Sequence, residues 1–465
     1  MSWICRNRPS RLSVAVDRSL SRVPGYVPCH ALSILALVAA AGIVLPCSVV
    51  ANTLTVNTAS DPGAMGTLSL RQAVAAANAG DTIQFAAALT SSTITLVGGG
   101  IPITRSMTIA GPGAEVLTIS GNNGSRIFYI RPAPDDSVAS HTQVTISGVT
   151  LANGNVGGQG GGAIHAVHSQ VLVTQSTIRD SKAYWGGGMY SLFGTTTIQH
   201  SRLVGNQAAN GGALYSVGDT QAGLYYDTIS GNSAANKGGG VFIGSTPKGI
   251  IAESTISGNT VLQPTADTGT QGGGGVAFQG ISLNGQAYII NSTVTQNYSP
   301  SGGAGVALMD AQTANDAKVY FSTIVGNTAA PYETGIGITS AGGSVDLYNT
   351  IAANNFSQSG ADDLVGTFRS RQSLIKSPGG ATITGTGSLI GLDPLLGPLA
   401  DNGGPTLTML PSSGSPAIHH VTCTPCGDVG FGDQRGVPRH NPSDIGAVER
   451  QYPEDLIFRN GFSPP

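Results

Sequence analysis

The chain has 465 residues, of which only 10% are charged, with a formal net charge of −3 and 67 glycines. Without a surplus of Lys and Arg, this composition argues against a basic stripe for nucleic acid. The length would usually predict about three domains, but a repetitive chain can also grow as one solenoid.

Residues 1–51 have the features of an export signal. Several arginines precede an apolar run from Ala31 to Leu45, which is too short for a comfortable membrane span, and Ala51 offers a small residue for cleavage. The charged leader is long for a signal peptide, so a start downstream of Met1 stays open, and a lipoprotein site at Cys47 is the weaker alternative. We expect a secreted or cell-surface protein, associated with the outer membrane, with no transmembrane span in the mature chain.

The first elements of the mature chain predict a strand, a turn and one short helix. A strand at 54–58 precedes a turn at 61–63. Ser69 and Gln72 then form a capping-box pair, an apolar stripe runs from Leu70 to Ala77, and the Asn-Ala-Gly sequence at 78–80 ends the helix. Alternating runs at 82–85, 93–97, 101–109, 116–119 and 127–130 predict further strands.

Residues 211–259 contain two near-copies of one pattern, with a glycine pair, two short apolar runs and an apolar-x-x-Asn ending. The endings at Asn232 and Asn259 lie 27 residues apart. Similar endings recur along the chain at Asn206, Asn297, Asn327 and Asn354, with a degenerate copy at Ser181. A unit repeated at this period with loop insertions predicts a solenoid.

Each unit is too short for a βαβ crossover and has no helical period, so we expect short strands. Alignment on the residue after the glycines gives two mostly apolar columns, two residues apart, which we expect to face a core. The first column is Ala163, Met189, Ala213, Val241, Val276, Val306 and Ile336, and the second is His165, Ser191, Tyr215, Ile243, Phe278, Leu308 and Ile338.

The repeated Gly and Asn suit tight corners, because both tolerate positive φ, and stacked Asn side chains can form a hydrogen-bonded ladder. The sequence therefore predicts an all-β fold, a right-handed parallel β-helix over residues 52–390. The short N-terminal helix is expected to cap its open end, where backbone would otherwise be unpaired.

Residues 391–450 break the repeat and are rich in Pro, Gly and Asp, which predicts a closing C-terminal cap. For Cys423 and Cys426 a small disulfide is favoured over a metal site, which would need two further ligands. Residues 451–465 resemble short endings of some exported bacterial proteins and suggest a sorting or anchoring tag.

Several segments carry a resemblance to a known family. LSLRQAVAAANAGDTIQF at 68–85, the glycine and Asn repeats, and DPLLGPLADNGGPT, GSPAI, DQRGVPR and DIGAVE within 393–449 resemble bacterial choice-of-anchor Q domain proteins. The repeats alone are also similar to those of chlamydial polymorphic outer membrane proteins. The resemblance implies an exported β-helix with a variable C-terminal anchor, and it implies no catalytic residue.

Catalysis by a β-helix would require carboxylates gathered on neighbouring coils with a basic partner. Asp227 and Glu253 are one coil apart but stand alone, and the Asp362-Asp363 pair has no acidic neighbour in register. The basic residues Lys182, Lys237, Lys248 and Lys318 are scattered in the sequence. We therefore assign no catalytic residue, metal ligand or cofactor.

Outward aromatic residues favour a binding role. We expect Tyr225 and Tyr320 to share one outward column and Tyr226, Phe321 and Tyr348 to share the next, where they could stack on sugars or pack against a protein. The predicted function is a non-catalytic, adhesive or glycan-binding surface protein with a polysaccharide or cell-surface partner. The alternatives are a polysaccharide lyase or glycoside hydrolase of the pectate-lyase-like type, and a rod that only displays its tip.

Overall fold

A computed structural model describes residues 51–132, 142–263, 272–280, 286–311, 317–331, 333–422 and 432–451. These residues form a right-handed parallel β-helix, which confirms the predicted fold class. The predicted signal peptide up to Val50, Cys423 with Cys426, and residues 452–465 lie outside them. No helix in the described part of the chain is long and apolar enough to cross a membrane.

The predicted N-terminal helix is present as Leu70–Ala76. Ser69 Oγ accepts a hydrogen bond from the Gln72 backbone, and the Gln72 side chain accepts one from the Ser69 backbone, so the capping box is formed. The helix buries its apolar side against the first strands, Thr53–Val56 and Ile101–Ile103. One turn of 3-10 helix, Ala87–Leu89, follows in the same coil.

The coils are built from four rows of strands, numbered here in the order in which the chain meets them after the repeated glycines. The first row is Ile101–Ile103, Phe128–Ile130, Ile164–Val167, Met189–Leu192, Leu214–Val217, Val241–Gly244, Val276–Gln279 and Val306–Ala311. The second row is Thr53–Val56, Asp81–Phe85, Met107–Ala110, Thr142–Ser147, Ser169–Thr174, Thr195–Gln199, Gln221–Tyr225, Lys248–Ala252, Gln286–Ile290, Ala317–Tyr320 and Thr382–Thr386. Two long strands, Ile338–Tyr348 and Leu364–Arg371, pass through both rows.

The remaining walls of the rod are narrower. The third row is Thr93–Thr95, Thr118–Ser120, Thr150–Ala152, Thr177–Arg179, Arg202–Val204, Thr228–Ser230, Thr255–Ser257, Thr293–Thr295, Thr323–Val325, Ile351–Ala353, Leu374–Ile375 and Leu389–Ile390. The fourth row is Gln207–Asn210, Ser233–Lys237, Thr260–Val261, Tyr298–Ser299, Thr328–Ala329, Phe356–Ser357 and Gly360–Ala361. An antiparallel hairpin, Leu396–Ala400 with Thr408–Pro411, follows the last coil.

The structure of the corner between the fourth and first rows shows that the expected core columns were misaligned by one residue in some coils. The coils from Gly161 to Gly335 turn here on a glycine with positive φ, such as Gly161, Gly186 or Gly211, and the first inward side chain follows three residues later. The run Gly186-Gly187-Gly188 begins with this corner glycine, whereas the sequence alignment used its last two members. Only a residue without Cβ adopts this conformation at low cost, so the corner glycine sets the register.

The true inward columns follow from the strand pairing. They are Ile164, Met189, Leu214, Val241, Val276, Val306 and Ile338, and then Ala166, Ser191, Ser216, Ile243, Phe278, Leu308 and Ser340. The expected assignments of Ala163, Ala213 and Ile336 to the first column were wrong. His165 and Tyr215, expected in the core, lie between the inward columns and point outward.

The predicted Asn ladder lies between the third and fourth rows. Asn232 Oδ1 accepts hydrogen bonds from the backbone N and the Nδ2 of Asn206 at 2.9 and 3.0 Å, and Asn232 Nδ2 donates to Asn259 Oδ1 at 2.9 Å. The pattern continues through Asn297, Asn327 and Asn355 and ends on Asp363.

The last Asn of the ladder is Asn355 and not Asn354, as the sequence alignment had suggested. Ala352 pairs with Ile324, so the strand enters this coil one residue later than expected. Asn354 instead occupies the corner before the ladder, with φ of 56°. Asn tolerates this left-handed conformation better than most residues.

The C-terminal segment, residues 391–422 and 432–450 of the described chain, was expected to close the end of the rod. It lies along the side of the rod. The Gln434 side chain donates to Ser254 O and accepts from Thr293 Oγ1, and Thr255 Oγ1 donates to Leu407 O. An apolar cluster with Ile445 continues this contact along the outer side of the third row. The segment therefore covers the corner between the second and third rows over several coils.

We predict that the Asn ladder holds the coils together. Replacement of Asn232 by Ala leaves several buried backbone and amide groups without partners, and should lower the free energy of unfolding by about 1 to 3 kcal/mol. Thermal or urea unfolding measures the effect. Gln207→Ala, one residue after Asn206 and exposed, is the matched control; equal melting of the wild type and Asn232→Ala would refute the ladder's role.

Candidate functional site

Three of the predicted binding residues share one outward column of the second row. Strand pairing aligns Tyr225 with Ala252 and, further along, Tyr320 with Tyr348. This agrees with the column expected for Tyr225 and Tyr320 but corrects the position of Tyr348, which was expected in the next column. The cause is the same one-residue offset that makes Asn355 the last ladder residue: Ala352, and not Ile351, pairs with Ile324, so Tyr348 pairs with Tyr320.

Tyr226 and Phe321 lie in the next position, at the corner between the second and third rows, where φ is 58° and 45°. Tyr226 stacks on His200, with ring centres 4.8 Å apart and planes 2° from parallel. Phe321 was expected to be exposed but is only 3% exposed. The C-terminal segment covers it, and the Arg439 guanidinium lies 4.2 Å from the centre of its ring.

Tyr226 borders a cleft of about 440 Å³ between the coils and the C-terminal segment. Arg202 from the third row and Asp401 from the C-terminal segment also line this cleft. The two adjacent tyrosines, Tyr225 and Tyr226, therefore belong to different surfaces.

The second-row tyrosines offer different surfaces to a ligand. Tyr320 and Tyr348 stack on each other, with centres 5.1 Å apart and planes 6° from parallel, and the Arg371 guanidinium lies 5.5 Å from the centre of Tyr348. Stacked coils place rings about 5 Å apart, so such rings cover each other's faces and present mainly edges and hydroxyl groups. Tyr225 instead lies over Gly223, where a Cβ would come within 2.5 Å of its ring.

Basic side chains lie beside these tyrosines, although the lysines are far apart in the sequence. The next outward column contains Tyr288, Lys318, Asp346 and Arg369 in successive coils. The Lys318 ammonium lies 5.3 Å from the centre of the Tyr288 ring. We call the outward side chains of the second row from Tyr225 to Arg371 the second-row face. Lys248 lies on it too, whereas Lys182 and Lys237 belong to the fourth row.

The carboxylates considered for catalysis have structural roles. Asp227 occupies a serine ladder at the corner between the second and third rows, accepts hydrogen bonds from the backbone of Ser201 and Tyr225, and is fully buried. Burial raises its pKa well above the ordinary value, against the effect of these hydrogen bonds. Asp363 ends the Asn ladder, and burial raises the pKa of this carboxyl as well.

Glu253 lies at the same corner as Tyr226, one coil further on, and burial raises its pKa. Its nearest polar partner is the amide of Asn291, at 3.5 Å. Among the residues that the structure describes, no group of three or more His, Cys, Asp or Glu side chains is placed to hold a metal ion.

Sequence reasoning missed an aromatic stack on the outer side of the first row. It runs through Tyr129, His165, Tyr190, Tyr215 and Phe242, with successive ring centres 5.0, 4.8, 5.6 and 4.6 Å apart. In the sequence alignment, the position between the two inward columns contained a mixture of residue types, because some coils were aligned one residue out of register. Counting four residues from the positive-φ glycine would have placed His165, Tyr190, Tyr215 and Phe242 in one column.

His165 is the unusual member of this stack. Within the described part of the chain, neither of its ring nitrogens has a hydrogen-bond partner. Burial, helped by the nearby charge of Arg126, lowers the pKa of the imidazole to about 4. At neutral pH His165 therefore behaves as a neutral aromatic ring between Tyr129 and Tyr190.

No family model and no curated protein matches the chain. Solved structures that resemble it include the crystal structure of pectate lyase Pel9A, with 14% identity, a TM-score of 0.49, and coverage of 86% of this chain and 96% of that one. The A-module of the Azotobacter vinelandii mannuronan C-5 epimerase AlgE4 has 14% identity and a TM-score of 0.37, over 68% and 89% of the two chains. The PL6 family alginate lyase AlyGC has 14% identity and a TM-score of 0.29, over 78% and 55%. These likenesses are distant and carry no inference about activity.

We predict that His165 makes the fold sensitive to acid. Unfolding restores the ordinary imidazole pKa of 6.5, so protons bind the unfolded chain preferentially as the pH falls from 6.5 towards 4. His165→Phe keeps an aromatic ring in the stack and removes this effect. Melting curves at pH 7.5 and pH 4.5 should therefore differ less for the variant than for the wild type.

Tyr190→Phe is the matched control for this experiment, because it changes the neighbouring ring without removing the imidazole. It should retain the wild-type dependence of melting on pH. An unchanged pH dependence in His165→Phe would contradict the assignment.

Proposed function

We propose that this chain is an exported, non-catalytic β-helix that binds glycans through its second-row face. The observation that carries the proposal is the row of tyrosines on one wall of the rod, with cations beside them. The Tyr225 ring lies over Gly223 on the outer side of its strand, and Tyr320 and Tyr348 present edges and hydroxyl groups. Sugars offer apolar ring faces and hydroxyl groups, and both kinds of surface are complementary to this wall.

The shape of the wall also supports this function. In stacked parallel coils, equivalent outward positions recur about every 4.8 Å along the rod. A linear polymer lying along the axis can therefore contact side chains of successive coils. A single contact of this kind is weak, but several along one chain act together. A surface role fits such a site, and the export signal expected at residues 1–51 belongs to the same proposal.

The positions of the carboxylates favour binding over cleavage. Asp227 and Asp363 are held inside ladders, and Glu253 has the Asn291 amide as its nearest polar partner. General acid and base chemistry on a sugar requires two carboxyl groups, or a carboxylate and a base, on either side of the scissile bond. The second-row face has one carboxylate among its described residues, Asp346, and an arginine binds it.

A glycan array followed by titration calorimetry tests the proposal. Replacing Tyr225, Tyr320 and Tyr348 together by Ala should weaken binding about tenfold or more, since each ring contributes on the order of 1 kcal/mol. The control replaces Tyr184 and Phe193, which are exposed aromatic residues outside the second row, by Ala. The control should bind like the wild type.

Equal affinity of the triple variant and the wild type would remove the second-row face from the proposal. Release of reducing or unsaturated sugars by the purified protein would overturn its non-catalytic part. Both variants should first be shown to keep the far-UV circular dichroism and cooperative melting of the wild type.

A further inference from the structure

We infer that the second-row face selects linear acidic glycans, with Lys318 and Arg371 as the residues that recognise the anionic groups. This inference rests on the proposed glycan binding and adds its substrate class. It depends on three features of the face, namely the group of cations on one wall of the rod, the pairing of the one described carboxylate, and the placement of the free cations over tyrosine rings.

The strand register spreads the cations over one wall of the rod, in three neighbouring outward columns. Lys318, Asp346 and Arg369 occupy one outward column in three successive coils, and Arg371 stands beside Arg369 in the tyrosine column. Lys248 lies two coils before Lys318 on the same wall, in the outward column next to that of Lys318, because it pairs with Gln286 and not with Tyr288. Lys318 and Arg371 are therefore two coils apart, roughly 10 Å along the axis. A linear polymer lying along this wall would pass close to both cations.

Asp346 does not cancel all of this charge, because one arginine occupies it. Arg369 Nε donates to Asp346 Oδ1 at 2.6 Å, and a second guanidinium nitrogen contacts the same oxygen. The Asp346 side chain is only 7% exposed, while the Arg369 side chain is 42% exposed. The carboxylate thus lies beneath Arg369 and is poorly placed to repel an anionic ligand.

Lys318 and Arg371 form no ion pair with any carboxylate among the described residues. Asp316, two residues before Lys318, lies outside those residues. Each cation is instead near a tyrosine ring, Lys318 at 5.3 Å from the centre of Tyr288 and Arg371 at 5.5 Å from the centre of Tyr348. A ring attracts a cation through its quadrupole without neutralising it, so both side chains keep their charge for a ligand.

This arrangement matches the chemistry of an acidic polysaccharide. The tyrosine rings and their hydroxyl groups suit sugars, and the unpaired cations suit carboxylate or sulfate groups repeated along the chain. A neutral glycan would leave both cations without a partner. Since charge attraction at an exposed site is screened by salt, binding through these residues should weaken as the salt concentration rises.

The test uses the full mature chain and three linear polysaccharides, polygalacturonate with carboxylates, dextran sulfate with sulfates, and neutral dextran. Affinities are measured at 50 and 300 mM NaCl with EDTA present, so that no metal ion bridges the anions. The wild type should bind at least one acidic polymer about tenfold or more tightly than dextran, and this preference should fall at high salt. The two acidic polymers show which anionic group is preferred.

The variant Lys318→Gln with Arg371→Gln should lose most of the preference for acidic polymers and most of the salt dependence. The control, Lys182→Gln with Lys237→Gln, removes the same charge from the fourth row and should bind like the wild type. An unchanged preference in the Lys318 and Arg371 variant would overturn the inference, as would equal effects of the two double variants.

The other outcomes separate this inference from the function on which it rests. Binding of dextran as tightly as acidic polymers, with loss in the tyrosine variant, would refute the acidic selectivity and leave glycan binding standing. Failure to bind any glycan would refute both. Tighter binding to single-stranded DNA than to the acidic polysaccharides would also overturn the inference, because it would show a general polyanion site.

Discussion

The structure depends on keeping each coil in register with the next at the corners of the rod. At one corner, side-chain amides such as those of Asn232 and Asn259 hydrogen-bond to each other and to the backbone of the coil before. At another, a serine ladder performs the same role, and Asp227 is one of its members. Glycines with positive φ turn the chain at a third corner. Because buried backbone groups must be paired, a change at any of these corners would disturb every wall that follows it.

The fixed register between coils determines which side-chain surfaces the rod presents to a ligand. Residues in one column are separated by a single coil, so aromatic side chains stack on each other, as Tyr215 does on Phe242 at 4.6 Å. Such stacks stabilise the rod but leave few ring faces for a sugar. The second-row face differs from the stacked column of the first row in two ways. Gly223 lets the Tyr225 ring lie against the backbone, and further along the rod Lys318 and Arg371 lie close to tyrosine rings. The same register that covers most aromatic faces therefore produces a line of hydroxyl groups and charges on one wall.

The sequence was sufficient for the fold because the repeat reports local constraints, namely a corner glycine, alternating apolar residues and a corner Asn. It was insufficient wherever one residue of register mattered. Because residues 186–188 are all glycine, the corner residue could not be identified, and the alignment placed His165 and Tyr215 in an inward column. Likewise, the consecutive asparagines at 354 and 355 left the last ladder position ambiguous. The burial of Phe321 had no local signal at all, because its cover includes Arg439, which lies more than a hundred residues later in the chain. The side-on position of the C-terminal segment depends on similar distant contacts, such as that of Gln434 with Ser254.

The central claim of this account is that one wall of the rod, and not its end or its lateral cleft, is the binding surface. A crystal structure of the protein with an acidic oligosaccharide, long enough to span several coils, tests this most directly. We predict that the sugar chain lies along the second-row face, with an anionic group near Lys318 and another near Arg371. A sugar bound instead in the cleft beside Tyr226, or along the aromatic stack of the first row, would contradict it.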